Sequence, residues 1–263
     1  MISRAIDQDG IDIFRHDFNM DPLTFWRKAD APDRQGISEI RYVEGLYAFW
    51  DDLLPRHPNL MIDNCSSGGR RIDLETSSRS VPLWRSDLSG SIVGEQASGL
   101  GLNLWVPLSS GGLFIHSYYP PDLYEARSTM SSGIILLWDV RKPDLNIPLA
   151  QKITNEAKAF SKYYYGDVYP LTPVTTDEED WLSYQCDRPD LGEGMVMAFR
   201  RKLAVADYLT VKLQGLKPVN TYEVEDVDSG KKQLATGKQL AAGLRLTLAT
   251  PQSSALLIYR EAK

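Results

Sequence analysis

"GIDIFRHDFN", Gly10–Asn19, decides the fold class. Ile11, Ile13 and Phe14 give a short apolar run that ends on Arg15, His16 and Asp17, so it reads as a strand with its polar chemistry at the C-terminal end. Downstream, "SEIRYVEGLYAFWDDLL", Ser38–Leu54, carries apolar residues at Ile40, Val43, Leu46, Tyr47, Trp50 and Leu54. That spacing predicts a helix, with Ser38 as N-cap and Pro55 closing it. "NLMIDN", Asn59–Asn64, is the next strand and runs into the turn-rich "CSSGGRR"; "SVPLWRSD", Ser80–Asp87, is a further strand that again ends on a carboxylate. "LGLNLWVPL", Leu100–Leu108, and "GIILLWDV", Gly133–Val140, read as buried strands, with a helix between them in "PPDLYEARSTM" and another in "NIPLAQKITNEAKAFSKYYYG", Asn146–Gly166. Strands alternating with helices predict a parallel α/β sheet or barrel, whose sites gather at the C-terminal strand ends. Asp17, Cys65 and Asp87 all fall at such ends.

The pattern changes after "PLTPVTTDEEDW", Pro170–Trp181, whose Pro, Thr and acidic residues read as a linker. Beyond it come alternating strands, "WLSYQCDR", "GMVMAFRR", "YLTVKLQGL", "TYEVEDVDSGKKQLA", "LRLTLA" and "SSALLIYR", with a hairpin turn at Gly230. The expected fold class is therefore α/β plus all-β: an α/β part over 1–172, then a small antiparallel β-sandwich over 173–263.

Composition narrows the function. A chain of 263 residues with net charge −6 has no electrostatic call on nucleic acid or acidic membranes, and no apolar run reaches transmembrane length. The N-terminus lacks the apolar core of a signal peptide, which leaves the compartment open. Two cysteines make no disulfide framework, and His16, His57 and His116 stand too far apart for a metal motif, so neither a metal nor a cofactor is expected. Aromatic content of 10% fits a carbohydrate-binding surface and a large core equally.

The stretch from Arg41 to Asp87 resembles glycoside hydrolase family 36, the bacterial α-galactosidases of clan D. The resemblance rests on three motifs in order: "RHDFN" for the family's Lys-Trp-Asp-Met-Asn at the end of strand four, Asn64–Gly69 for its Asn-Cys-(Ser/Ala)-(Ser/Gly)-Gly-Gly, and "WRSD" for its Trp-x-Ser-Asp. It implies a partial (β/α)8 TIM barrel, about strands four to eight, followed by the β module. It further implies a retaining glycosidase with Asp17 as nucleophile and Asp87 as general acid/base, acting on α-galactoside-containing oligosaccharides or glycans. Arg15, Cys65, Gly68 and Trp84 are then expected to border the sugar. Such an enzyme needs its carboxyl groups about 5–5.5 Å apart. Arg15 beside Asp17 favours the ionised nucleophile, and a partly dry pocket beside Trp84 is expected to keep Asp87 protonated.

Arg15-His16 in place of Lys-Trp, and "SDLSG" after the acid/base, depart from the family pattern and bear on substrate choice. Another α-glycosidase, such as an α-N-acetylgalactosaminidase, is the alternative within the class; a non-catalytic, sugar-binding half-barrel is the alternative outside it. If Asp17 ends strand four, strands one to three and their acidic pair are absent, so the chain alone is expected to turn over little substrate. The expected explanations are a missing N-terminal half, a split enzyme completed by a partner, or a non-catalytic half-barrel that self-associates as a homo-oligomer. Residue by residue, plainer roles compete: a turn or cap for Asp17 and Asp87, a small buried hydrophobe for Cys65, core packing for Trp84 and Trp138, packing against or orienting Asp17 for His16, a helix cap for Asp139, and a solvated run for Asp177–Asp180.

Overall fold

The computed structural model describes residues 1–88, 90–106, 109–115 and 123–262. His116, and the first residues of the helix expected from Pro120, lie outside them. The chain forms two compact units, Met1–Asp87 and Leu88–Lys263.

The first unit contains α1 (Ile2–Asp9), β1 (Ile13–Asp17), α2 (Leu23–Ala29), α3 (Ile37–Arg56), β2 (Met61–Cys65) and α4 (Leu74–Ser77). β1 and β2 pair in parallel with Asp17 opposite Cys65, as the apolar runs predict. Val81 adds a parallel bridge to Asp63: its N–H donates to the Ile62 carbonyl (2.8 Å), and its own carbonyl accepts from Asn64 N–H (3.1 Å). The strand expected over Ser80–Asp87 is reduced to this bridge. Pro82 has no N–H to extend a ladder, and the chain leaves the sheet there.

α3 lays Leu46, Trp50 and Leu53 against Ile6, Leu60 and Ile62. The buried stripe is one turn tighter than expected, because Ile40 stands 55% exposed. Ser38 is not the N-cap. Gly36 holds that position at φ +96°, and the loop residue Asp30 accepts from the N–H groups of Gly36 (2.8 Å) and Ser38 (3.1 Å). Pro55 sits within the last turn, and the helix ends one residue later.

The second unit begins with α5 (Ile92–Asn103), β3 (Ser110–Ile115), α6 (Leu123–Thr129), β4 (Gly133–Trp138) and α7 (Ile147–Phe160). The strand expected at Leu100–Leu108 is instead the last turn of α5 and its exit, with Pro107 and Leu108 outside the described residues. Ser91 caps this helix by accepting from Gly94 N–H (3.1 Å). A short apolar run does not by itself distinguish strand from buried helix. The parallel partner of β4 is β3. Asp139 does not cap α7; it accepts from the N–H of Arg141 and pairs with its guanidinium, while Asn146 caps the helix by accepting from Leu149 N–H (3.0 Å).

The remainder is antiparallel: β5 (Asp167–Pro170), β6 (Trp181–Arg188), β7 (Glu193–Arg200), β8 (Tyr208–Val211), β9 (Thr221–Asp226), β10 (Lys232–Thr236), α8 (Gly237–Ala242), β11 (Leu244–Thr247) and β12 (Ser253–Glu261). Six strands form one sheet in the order β10-β9-β12-β7-β6-β5, and β8 pairs with β11. One face of the larger sheet (Leu182, Tyr184, Met195, Met197, Leu256) packs on Tyr124, Phe160 and Tyr164 of the helical segments. Its other face (Val196, Ala198, Leu257) packs on Val211, Leu244 and Leu246 of the small sheet. Burial on both faces explains why β6 and β7 read as nearly continuous apolar runs. Arg127 ties α6 to α7 and to the β9–β10 hairpin: its wholly buried guanidinium donates to Glu156 (2.6 Å) and Asp228 (2.7 Å). Gly230 takes φ +66° in that hairpin, as expected.

Candidate active site

Parallel pairing places the ends of β1 and β2 side by side, and the turn after β2 folds back over them. Asp17 is the last residue of β1 and lies in register with Cys65. Burial pushes its carboxyl pKa up, but hydrogen bonds from the Asn19 amide and the Cys65 thiol, with the charge and hydrogen bond of Arg15, outweigh that and hold it below the usual carboxylate value. Arg15 donates to Asp17 Oδ2 (3.2 Å) and to Asp63 Oδ2 (2.5 Å). The buried Asp63 thereby fixes the guanidinium beside the carboxylate, and its other oxygen accepts from Leu83 N–H (3.2 Å). Arg15 is thus already engaged by two carboxylates, with 41% of its side chain exposed.

Asn64–Gly69 forms the connecting turn. Asn19 Oδ1 accepts from the N–H (2.8 Å) and hydroxyl (3.0 Å) of Ser67, which takes a left-handed φ of 47°. Cys65 is 2% exposed. Burial raises its thiol pKa, and the neighbouring Asp17 adds to that, against a hydrogen bond from Gly68 N–H to the sulfur. Gly68 has φ +75°, and a Cβ built on it would lie 2.8 Å from the backbone nitrogen of Asp87 and 3.3 Å from its Cγ. A Cβ on Gly69 would lie 2.6 Å from the Arg85 carbonyl. Only glycine permits this approach. The three sequence motifs therefore meet in one place: Gly68 reaches Cys65 on one side, which reaches Asp17, and abuts Asp87 on the other.

Asp87 is exposed and accepts from the Trp84 indole N–H (2.7 Å). The dry pocket expected around it is not formed by these residues. Asp87 follows Pro82 on irregular chain that leaves the sheet, so nothing packs over the carboxyl from a strand or helix of its own. His16 faces away from Asp17; its Nδ1 accepts from Trp50 Nε1 (3.0 Å), and burial lowers its pKa. It packs under the site and takes no proton from it.

Asn19, Asp63 and Arg71 complete the arrangement and were not singled out from sequence. Asn19 closes the "RHDFN" motif two positions after Asp17, and Asp63 stands in "NLMIDN" two positions before Cys65 on the same face of β2; that spacing is the signal that marks them. Arg71 donates to the carbonyls of His16 (2.7 Å) and Cys65 and so clamps the two strand ends together. Among the described residues, no group of three or more His, Cys, Asp or Glu is placed to hold a metal.

Residues 1–131 match the Melibiase family model. The chain is 25% identical to α-galactosidase 1 of Pediococcus pentosaceus over 235 residues, 84% of this chain and 31% of that protein. It is 26% identical to α-galactosidase AgaA of Geobacillus stearothermophilus over 241 residues, 85% of this chain and 32% of that protein. In fold it matches an α-galactosidase of Lactobacillus brevis at TM-score 0.81 and 18% identity, covering 100% of this chain and 37% of that one. A variant of AgaA solved with raffinose matches at TM-score 0.79 and 22% identity, covering 99% and 37%. The chain thus spans about a third of the length of these relatives. Motifs, mixed helix and sheet content with an antiparallel sheet, and sequence likeness agree: the chain resembles the α-galactosidases of glycoside hydrolase family 36 over about a third of their length.

Proposed function

We propose that the chain carries the nucleophile and the acid/base of a retaining α-galactosidase. Asp17, ionised and aligned by Asn19, Cys65 and Arg15, attacks the anomeric carbon as Asp87 protonates the departing glycosidic oxygen. Asp87 then takes a proton from water, which attacks the galactosyl-Asp17 ester and releases sugar with retained configuration. The family likeness, and the raffinose and stachyose complexes of AgaA variants, support α-galactoside oligosaccharides as substrates. Arg15, Cys65, Gly68 and Trp84 border the sugar in this reading, with the exposed part of the Arg15 fork turned to its hydroxyls.

In the same reading, residues 1–172 form the C-terminal portion of a (β/α)8 barrel, about strands four to eight, and 173–263 the antiparallel β-sandwich that follows it. The parallel pairs β1–β2 and β3–β4, and the Val81 bridge, support that assignment.

The observation that carries the proposal is the Asn64–Gly69 turn, which contacts Asp17 through Cys65 and Asp87 through Gly68. A 2-deoxy-2-fluoro-α-galactosyl fluoride, which forms the ester but loses it slowly, tests it. Peptide mapping of the labelled enzyme should place the adduct on Asp17, and Asp17→Asn should abolish labelling. An adduct on any other carboxylate rules out the assignment.

A further inference from the structure

A concavity borders this turn, with Ser66 in its lining. It has a volume of about 280 Å3 and is enclosed by the start of α3, the segment after β1 and the segment after β2. Neither Asp17 nor Asp87 is among the described residues that line it. Its size falls just below the range of drug-sized ligand pockets, about 300–1,000 Å3, which suits one sugar ring rather than two.

Its wall is a row of three half-buried aromatic rings: Phe18 and Tyr42 at 5.4 Å, and Tyr42 and Trp26 at 5.3 Å between centroids. Flat aromatic faces of this kind receive the C–H face of a pyranose. Arg71 also lines it; its Nη2 donates to the strand-end carbonyls, and its guanidinium lies over the Trp50 ring, 5.8 Å from the centroid. Its buried Nε and Nη1 have no hydrogen-bond partner among the described residues. Buried guanidinium donors left unpaired are costly, and an acceptor entering the pocket would relieve that cost. Arg70 adds a second cation to the lining, while Glu39 and Asp73 contribute two carboxylates. The formal charges cancel, so the site selects neither an anion nor a cation, and its donors and acceptors match the mixed hydroxyls of a neutral sugar.

We infer that this pocket is a second carbohydrate site that takes a single neutral hexopyranose unit, stacked on Trp26 and Tyr42 and hydrogen-bonded by Arg71. It stands independently of the roles given to Asp17 and Asp87. A sugar held there would lie beside the Asn64–Gly69 turn, where it could retain a glycan chain between turnovers.

Titration of the 15N-labelled chain with D-galactose and with D-glucose, followed at the Trp26 indole in the parent and Asp17→Asn and at the backbone amides of Ser66 and Arg71 in every protein, tests the inference. Saturable shifts in the millimolar range are expected, and the same shifts in Asp17→Asn. Trp26→Ala should weaken binding roughly tenfold or more, as loss of one stacking partner implies. Trp26→Tyr, which keeps a flat ring, should restore it to within about threefold, which separates lost stacking from lost folding. Absence of a saturable shift at Trp26, loss of the shift in Asp17→Asn, unchanged affinity in Trp26→Ala, or tighter binding of inorganic phosphate than of either hexose would each overturn it.

Discussion

Gly68→Ala isolates the contact on which the catalytic reading depends. At φ +75° an L-residue costs about 1–2 kcal/mol relative to glycine. The added Cβ would stand 2.8 Å from Asp87 N and 3.2 Å from the Ser86 carbonyl carbon, both main-chain atoms that cannot rotate away. Overpacking of that kind costs about 1–3 kcal/mol. Together they amount to roughly 2–5 kcal/mol, a large part of the ~5–15 kcal/mol that holds a domain folded. Relief comes from moving Asp87 or the turn, and in the proposed acid/base role a displacement of about 1 Å costs about 100-fold in rate.

Gly45→Ala is the control. It sits in α3 with nothing within 4 Å of an added Cβ, and it should stabilise by about 0.5–1 kcal/mol. Equilibrium urea unfolding, with the 1H–15N resonance of the Asp87 amide, reads both arms. A Gly68→Ala protein with wild-type midpoint and an unmoved Asp87 amide resonance would show that the turn does not set the position of Asp87.

Further outcomes follow from the same contacts. Asn19→Ala removes a hydrogen bond to the Asp17 carboxylate, so an NMR titration should find the Asp17 pKa below the ordinary 3.8 in the parent and higher in the variant. Because the folded value is depressed, the stabilisation from Asp17 is complete above its unfolded pKa and disappears as pH falls through the folded one; acid unfolding of Asn19→Ala should therefore depend less steeply on pH in that window. A parent Asp17 that titrates above the ordinary value would contradict the geometry. Arg127→Met leaves buried Glu156 without its cation and should destabilise by about 3–5 kcal/mol in urea; a loss under about 1 kcal/mol would mean the network is replaceable.

Much of this was legible in the chain because its signals were local. β1, β2, β4 and the strands from β6 onward follow from period and punctuation, and Gly230 announces its own turn. Where the sequence misleads, long-range packing decides. Leu100–Val106 is apolar enough for a strand, yet Ser91 starts a helix that carries through Asn103. Pro82 removes the ladder that the apolar run at Ser80–Asp87 offers on pattern alone. Asp30 caps α3 from outside the helix, out of reach of a windowed pattern. At the site, motif order locates Asp17, Cys65 and Asp87. The partners that set their chemistry, Asp63 under Arg15 and Arg71 across two strand ends, depend on parallel register that a linear pattern does not contain.

Gly68 rests against Asp87, closest to its main-chain nitrogen. On the roles proposed for Asp17 and Asp87, their spacing is set largely through the backbone of this turn. Changes at positions 15–16, or after Asp87, would then alter what borders the sugar while leaving the two carboxyls in place, so substrate choice and stereochemical outcome would rest on separate parts of the chain.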